Sequence, residues 1–333
     1  MASLFLMTDY KIEKLQPEEF NLLIPLMKDC FGMDVNIDYF LWKYLQNPVG
    51  ELIAFVAKAE NDQLVAFEGL IPEKYSFFGE TKIVYQSVDT MTHSQHRRKG
   101  LFQKVAFAGY EYLKQHSNLF VLGFGGKQSA PALYKFGWKS LFDVQFYFRT
   151  RQQIYLQNIF RTNSGKPYII KPANDLNEII PIIQLNYSKK KINKFINFEL
   201  LKWKLGNPRF KYQTIGIYSK NKIEGYLIFY IQKNKIMLFD ANFETEQSIC
   251  EKCMFRWLDK QVLTNHYNGI VTFSQNNIPF SKILKRKGFI VNNLGIGPLK
   301  QKLPFMVYTE NDTFEKINNP ELWAITPVYH DSF

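Results

Sequence analysis

Residues 88–116, VDTMTHSQHRRKGLFQKVAFAGYEYLKQH, join a strand-like run, a short basic loop, one glycine and a helical repeat. The first turn of a helix presents unpaired backbone N–H groups and a partial positive charge, which together suit a phosphate group. Gly100 lets the backbone come close where a Cβ would interfere. Arg97, Arg98 and Lys99 add charges able to pair with phosphate oxygens. The segment therefore predicts a phosphate or pyrophosphate cradle, the alternative being a solvated basic helix start. It is neither a G-x-x-x-x-G-K-[ST] loop nor a G-x-G-x-x-G fingerprint.

Other reactive residue types form weaker patterns. Cys250 and Cys253 stand three apart on a helical stretch, but a structural zinc needs four ligands and no second pair is present. Cys30 lies in an apolar-rich stretch without a nearby histidine, which argues against a nucleophile. Neither a metal nor a covalent intermediate is expected.

The elements that must position the basic loop repeat along the chain. FLWKYLQNP at 40–48 matches LLKWKLGNP at 200–208, with Leu41/Leu201, Leu45/Leu205, Asn47/Asn207 and Pro48/Pro208 aligned. Each reads as an amphipathic helix stopped by Asn-Pro. IAFVAKA, LVAFEGLI and KIVYQSVDTMT follow the first, and TIGIYS, IEGYLIFYI and KIMLFDAN the second, as strands separated by tight turns. A helix comes next in each half, at Leu101–His116 and about 246–263, then a strand at 118–125 and 268–274. A short helix with Gly137–Trp138 or Gly288–Phe289 closes each unit. Two copies of one mixed α/β domain are expected, at 1–150 and 173–303. A linker at 151–172 contains the loop RTNSGKP, and an irregular extension at 304–333 packs back on the domains.

Composition bounds the remaining possibilities. The chain has 333 residues, 46% apolar and 16% aromatic, too apolar for a disordered chain. Three cysteines cannot make a disulfide framework, so a reducing, cytoplasmic setting is expected. The first ten residues, MASLFLMTDY, carry no basic segment before their apolar run and no cleavage site, which predicts no secretory leader. No stretch is long and apolar enough to predict a membrane span. The net charge of +12 suits an anionic partner, but no nucleic-acid-binding motif accompanies it.

Arg97-Arg98-Lys99-Gly100-Leu101-Phe102, between a strand and a helix, resembles the Gln/Arg-x-x-Gly-x-Gly/Ala signature of the GNAT superfamily of acyl-CoA-dependent N-acyltransferases. Phe102 stands where that signature has Gly or Ala. GGKQSAPALYKFGWK at 125–139 resembles the family's short helix ending in Gly-aromatic, and the combination is similar to a branch found among bacterial polysaccharide-biosynthesis enzymes. The resemblance covers residues 10–150. It implies an α/β fold with two tandem GNAT-like domains, each a mostly antiparallel mixed sheet flanked by helices. It also implies acetyl transfer from acetyl-CoA, as cosubstrate, to an amine of a small molecule, such as an amino sugar, in a ternary complex. The pantetheine arm would run along Asp89–Thr92, with cofactor contacts at Thr90, Met91, Thr92, Arg97, Arg98, Lys99, Gly100, Leu101, Phe102 and Ser129. Tyr134, three residues before Gly137 where the family usually has four, would protonate the thiolate. Asp89, His93 and Glu68 are candidates for the base. FETEQSICEKC at 243–253 lacks the glycine and carries Glu244, Glu246 and Glu251, so the second copy is expected to have lost the cofactor. Aminoacyl-tRNA-dependent peptidyl transfer and a non-catalytic CoA-binding scaffold are the alternative readings.

Overall fold

The computed structural model describes residues 10–159, 168–245, 248–292 and 303–330. In the first half, β1 (Lys11–Lys14), α1 (Leu23–Phe31) and α2 (Ile37–Phe40) lead through one wider helical turn at Leu41–Leu45 into β2 (Ile53–Lys58). Then come β3 (Leu64–Phe77), β4 (Glu80–Thr92), α3 (Leu101–His116), β5 (Val121–Phe124), α4 (Ala130–Lys135) and β6 (Lys139–Thr150). After α5 (Arg151–Ile159), the second half runs β7 (Ile169–Pro172), α6 (Ile180–Tyr187), β8 (Ile192–Lys194), α7 (Phe198–Leu205), β9 (Gln213–Ser219), β10 (Lys222–Gln232) and β11 (Lys235–Phe243). It continues through α8 (Ile249–Thr264), β12 (Gly269–Ser274), α9 (Pro279–Arg286), β13 (Ile290–Val291), β14 (Leu303–Tyr308) and α10 (Asn311–Ile317). The repeated strand and helix runs of the sequence thus form repeated elements. Of residues 151–172, 151–159 are helix and 169–172 strand, while RTNSGKP at 161–167 lies outside the described residues.

All described strands join one mixed sheet, ordered β1-β2-β3-β4-β5-β14-β6-β12-β11-β10-β9-β7, with β13 on β6 and β8 on β3. Only β4/β5 and β11/β12 pair in parallel among them. Strand β6 belongs to both halves. Residues Lys139–Val144 pair with β14, and Gln145–Thr150 pair with β12. The expected irregular extension at 304–333 therefore needs correction, because its first residues form a strand between β5 and β6. LPFMVY is an apolar run buried on both faces, and Pro304, which lacks an N–H, still supplies a carbonyl to Gly125 N at 2.8 Å. Each half completes the sheet of the other.

Side chains reinforce that exchange. Trp42 and Trp203 stack with centroids 5.4 Å apart, and each indole N–H donates to the other's main-chain carbonyl at 2.7 Å. Asn47 and Asn207, which follow the matched helices, each accept an N–H two residues on, an Asx turn preserved in both copies. Arg149 of β6 is buried and grips Asp259 of α8 through two bonds of 2.6 and 3.1 Å. One large core runs through both halves, while a second cluster, including Tyr110, Leu133 and Trp138, lies between the sheet and the α3/α4 pair.

Replacing Arg149 by Ala strands the buried Asp259 carboxylate, for which the expected cost is about 3–5 kcal/mol. Urea unfolding should show that loss in a single transition reported alike by tryptophan fluorescence and circular dichroism. Two separated transitions would contradict the shared sheet.

Candidate active site

The site begins with an irregularity in β4. Opposite Glu68 of β3 stand two residues of β4, Asp89 and Thr90, because the register shifts between Phe67/Met91 and Gly69/Val88. Asp89 takes φ +51° to make this bulge. Nearby, β4 and β5 pair only at Tyr85/Val121 and Gln86/Leu122. Beyond Gln86 no further pairs hold the two strands together, and a cleft of about 440 Å³ opens there. Ser87–Thr90 form one side of it and Gly123, Phe124 and Gly126–Ser129 the other, with Leu133, Trp138, Phe31 and His330 completing the wall.

The bulge sends neighbouring side chains to different partners. Asp89 Oδ2 accepts from the buried Lys43 ammonium at 2.5 Å and from the Tyr44 hydroxyl at 2.7 Å. These two contacts fix the carboxylate beside the bulge. Glu68, 1% exposed, accepts from Ser87 Oγ at 2.7 Å and Thr90 Oγ1 at 2.6 Å. Burial pushes its carboxyl up to about 7; the Asp89 charge adds to the rise and the two hydroxyls oppose it. Glu68 is thus connected to the cleft through Ser87 and Thr90, both on its lining.

The basic loop leads from this bulge to α3. Arg98 and Gly100 both adopt left-handed φ values, +64° and +74°, and Gly100 caps α3 with no side chain accepting its first N–H groups. A Cβ built on Gly100 would meet nothing within 4 Å. The glycine is therefore required by its backbone angle, and the space before the helix is open. Arg97 Nε donates to Thr92 O at 3.2 Å, and Lys99 Nζ to Tyr10 Oη at 2.8 Å. The Phe102 ring packs against Phe136 of the α4 region, centroids 4.9 Å apart, which accommodates the larger residue at that motif position. Met91 and Leu101 are buried, so their contribution to a ligand would come from the backbone. Ser129 lines the cleft and accepts from Gly126 N at 3.0 Å.

The corresponding helix of the second half is closed. Ser248 caps α8 by accepting Glu251 N at 3.1 Å. Glu251 itself is buried against Arg286 and Lys287. Glu244 pairs with Lys222 on the surface, and Glu246 lies outside the described residues. Here protein groups occupy the helix N-terminus that α3 leaves open.

Three expected catalytic residues fall outside the cleft lining: Glu68, which reaches it through Ser87 and Thr90, and Tyr134 and His93. Tyr134 is 49% exposed, and its neighbour Leu133 lines the cleft instead. His93 caps the short turn after β4, accepting Gln95 N at 3.3 Å, with Nε2 3.9 Å from Asp29. Sequence reasoning passed over Lys43, Tyr44, Ser87 and His330. A lysine in the middle of an amphipathic, otherwise apolar helix was the available signal for Lys43. His330 had none. Among the described residues no group of three or more His, Cys, Asp or Glu could hold a metal.

Comparison with known proteins agrees with this geometry. Residues 11–141 match the family described as "Acetyltransferase (GNAT) domain". No curated protein matches the sequence. The fold is similar to that of a probable N-acyltransferase of unknown function from Enterococcus faecalis V583, at 16% identity and TM-score 0.68, covering 92% of this chain and 74% of that one. It is also similar to N-myristoyltransferase of Saccharomyces cerevisiae with bound myristoyl-CoA, at 13% identity and TM-score 0.62, covering 92% and 80%. A GCN5-related N-acetyltransferase from Anabaena variabilis shares 12% identity at TM-score 0.61, covering 90% and 72%. At these identities the likeness concerns the fold. The left-handed basic loop before α3 and the divergent β4/β5 pair lie within the residues, 11–141, that match the GNAT acetyltransferase domain.

Proposed function

We propose that this protein is an acyl-CoA-dependent N-acyltransferase. It moves an acetyl group from acetyl-CoA to the amine of a small molecule, an amino sugar being one candidate, by direct attack in a ternary complex. The observation that carries this reading is the uncapped N-terminus of α3, which follows in the chain on the β4 bulge that lines the cleft between β4 and β5. A pyrophosphate would sit on the backbone N–H groups from Arg97 to Phe102, with Arg97, Arg98 and Lys99 beside it. The pantetheine arm would follow Asp89–Thr92 and pass Ser129. The cleft volume falls within the range of about 300–1,000 Å³ usual for small-ligand sites.

The cosubstrate supplies an activated acyl carbon, and the protein must hold it and manage protons. Glu68, poised near neutrality, suits exchange of a proton with the cleft through the Ser87 and Thr90 hydroxyls. Asp89 suits a positioning role, since Lys43 and Tyr44 fix its carboxylate beside the bulge. The exposure of Tyr134 and the turn-capping bonds of His93 leave both outside this scheme. The closed N-terminus of α8 supports one cofactor site in the chain. No helix among the described residues is long and apolar enough to cross a membrane. Together with the low cysteine count this supports a cytoplasmic enzyme.

Acetyl-CoA at a hundred times its dissociation constant should add about 2.7 kcal/mol of stability. For a chain of this size that raises the melting temperature by about 2–4 °C. The Gly100→Glu variant, strained at a left-handed φ and negative where the pyrophosphate should sit, should show no such increment over its own ligand-free value. Absence of the increment in wild type as well would refute acyl-CoA binding and favour the aminoacyl-tRNA reading. A wild type stabilised by acetyl-CoA that never releases CoA to any amine would be a scaffold.

Glu68 yields a second expectation. Its carboxyl is raised from 4.5 to about 7 in the folded protein, so the folded state holds the proton more tightly than the unfolded chain. That contribution is complete below about pH 4.5 and is lost as pH rises through about 7, a total of about 3 kcal/mol. Urea midpoints for wild type should fall across this window more steeply than those of Glu68→Gln. Asp240, buried and raised to about 6, contributes to both proteins alike. Parallel pH profiles would show that Glu68 is not protonated by its surroundings.

A further inference from the structure

The second half has lost its own anion site, yet its last described residue reaches into the cleft of the first half. His330 lines that cleft, with its ring centroid 4.7 Å from Phe124 and 5.7 Å from Phe273. Gly123 faces Trp138, on the α3/α4 side of the sheet. Successive residues of a strand point to opposite faces, so Phe124 and His330 belong to the face away from the phosphate cradle. An acyl-CoA that enters from the α3 side and passes between β4 and β5 would present its carbonyl carbon toward that face, where an acceptor arrives.

The histidine is held in place from several directions. Its N–H donates to Pro327 O at 3.0 Å, and its carbonyl accepts from the buried Lys204 ammonium at 3.0 Å. The preceding Tyr329 is buried, and its hydroxyl accepts Lys194 N at 2.9 Å. Of the other ionisable residues on the cleft lining, Asp89 is clamped by Lys43, and Lys127 carries only donors. The remaining one is an imidazole, whose ordinary titration range spans neutrality.

We infer that His330 faces the acyl group from the acceptor side and takes the proton of the incoming amine. This rests on the acyl-CoA reading above. The acceptor ammonium gives one proton to the imidazole, and the freed lone pair forms the C–N bond to the acyl carbon. The C–S bond breaks with its electron pair on sulfur, the second amine proton ends on that sulfur, and the imidazolium returns its proton to solvent. The products are the amide, free CoA and one proton. The catalytic centre is then built from both halves of the chain.

Bromoacetyl-CoA tests the placement without knowledge of the acceptor, because its electrophilic CH₂ group lies next to the acyl carbonyl. The His330 ring nitrogen should displace bromide, giving one adduct on the peptide containing residue 330. His330→Gln should give none while still being thermally stabilised by bromoacetyl-CoA. An adduct on Cys30 or elsewhere, or none despite stabilisation, overturns the placement. Failure of bromoacetyl-CoA to stabilise wild type overturns the acyl-CoA reading with it. The proton role is read from CoA release with acetyl-CoA and two small nucleophiles at pH 7. His330→Gln should slow transfer to ethylamine, an ammonium ion at that pH, about 100-fold or more. Transfer to hydroxylamine, which is largely unprotonated, should change less than about fivefold, since no base is needed. Equal losses for both, or no CoA release to either by wild type, overturn the base assignment.

Discussion

A β-strand is held wherever its backbone donors and acceptors meet a partner, and in this protein one strand of the first half takes two different partners from the second half along its length. The first six residues of β6 pair with β14, a strand from the far end of the sequence, and the last six pair with β12. Without β14, the described edges of β5 and of the start of β6 would face each other unpaired, at a cost that compounds with each missing bond. The buried Arg149–Asp259 pair and the reciprocal Trp42–Trp203 clasp tighten the same seam. This constraint gives the second half a structural role, because the first half cannot complete its sheet without it.

The same seam fixes the shape of the cleft. β14 holds β5 on its outer edge, partly through Gly125 N and Pro304 O, while the bulge at Asp89–Thr90 bends β4 on the other side. Divergence of the two strands is therefore built in before any ligand arrives. Lys43 and Tyr44, from the helical segment ahead of β2, secure the left-handed Asp89 by meeting its carboxylate. Charge separation across the bulge follows. Asp89 is neutralised by an ammonium, whereas Glu68 has only hydroxyls and burial, and so moves toward neutrality. Two carboxylates around one bulge thus meet different partners, an ammonium and a hydroxyl for one and two hydroxyls for the other.

The two matched helices show how little chemistry separates an open helix N-terminus from a closed one. Helices α3 and α8 each have 16 residues and follow equivalent strands. One begins with a left-handed glycine and open space, the other with a serine that accepts its own helix's N–H and a glutamate tied to two cations. A side chain that satisfies those donors internally removes the group an anion would use.

Local patterns were legible because local physics set them. The repeat, the strand runs of β2–β4 and β9–β11 between tight turns, the helix at Leu101–His116 and the basic loop before it each arise from apolar runs, periodicity, turn residues or a helix terminus. So does the contrast between Gly100 and the acidic segment at 243–253. The sequence offered no sign that LPFMVY at 303–308 would enter the middle of the sheet, since a strand's neighbour is chosen by pairing across distant segments and its prolines suggested irregularity. Nor could it show that Tyr134 turns outward, where one residue of helix phase rotates a side chain by about 100°. The burial that raises Glu68, the lysine that quiets Asp89 and the arrival of His330 beside Phe124 likewise depend on contacts between residues far apart in the chain. Spacing along the chain showed the basic loop and the helix start, and tertiary packing decided which side chains line the cleft.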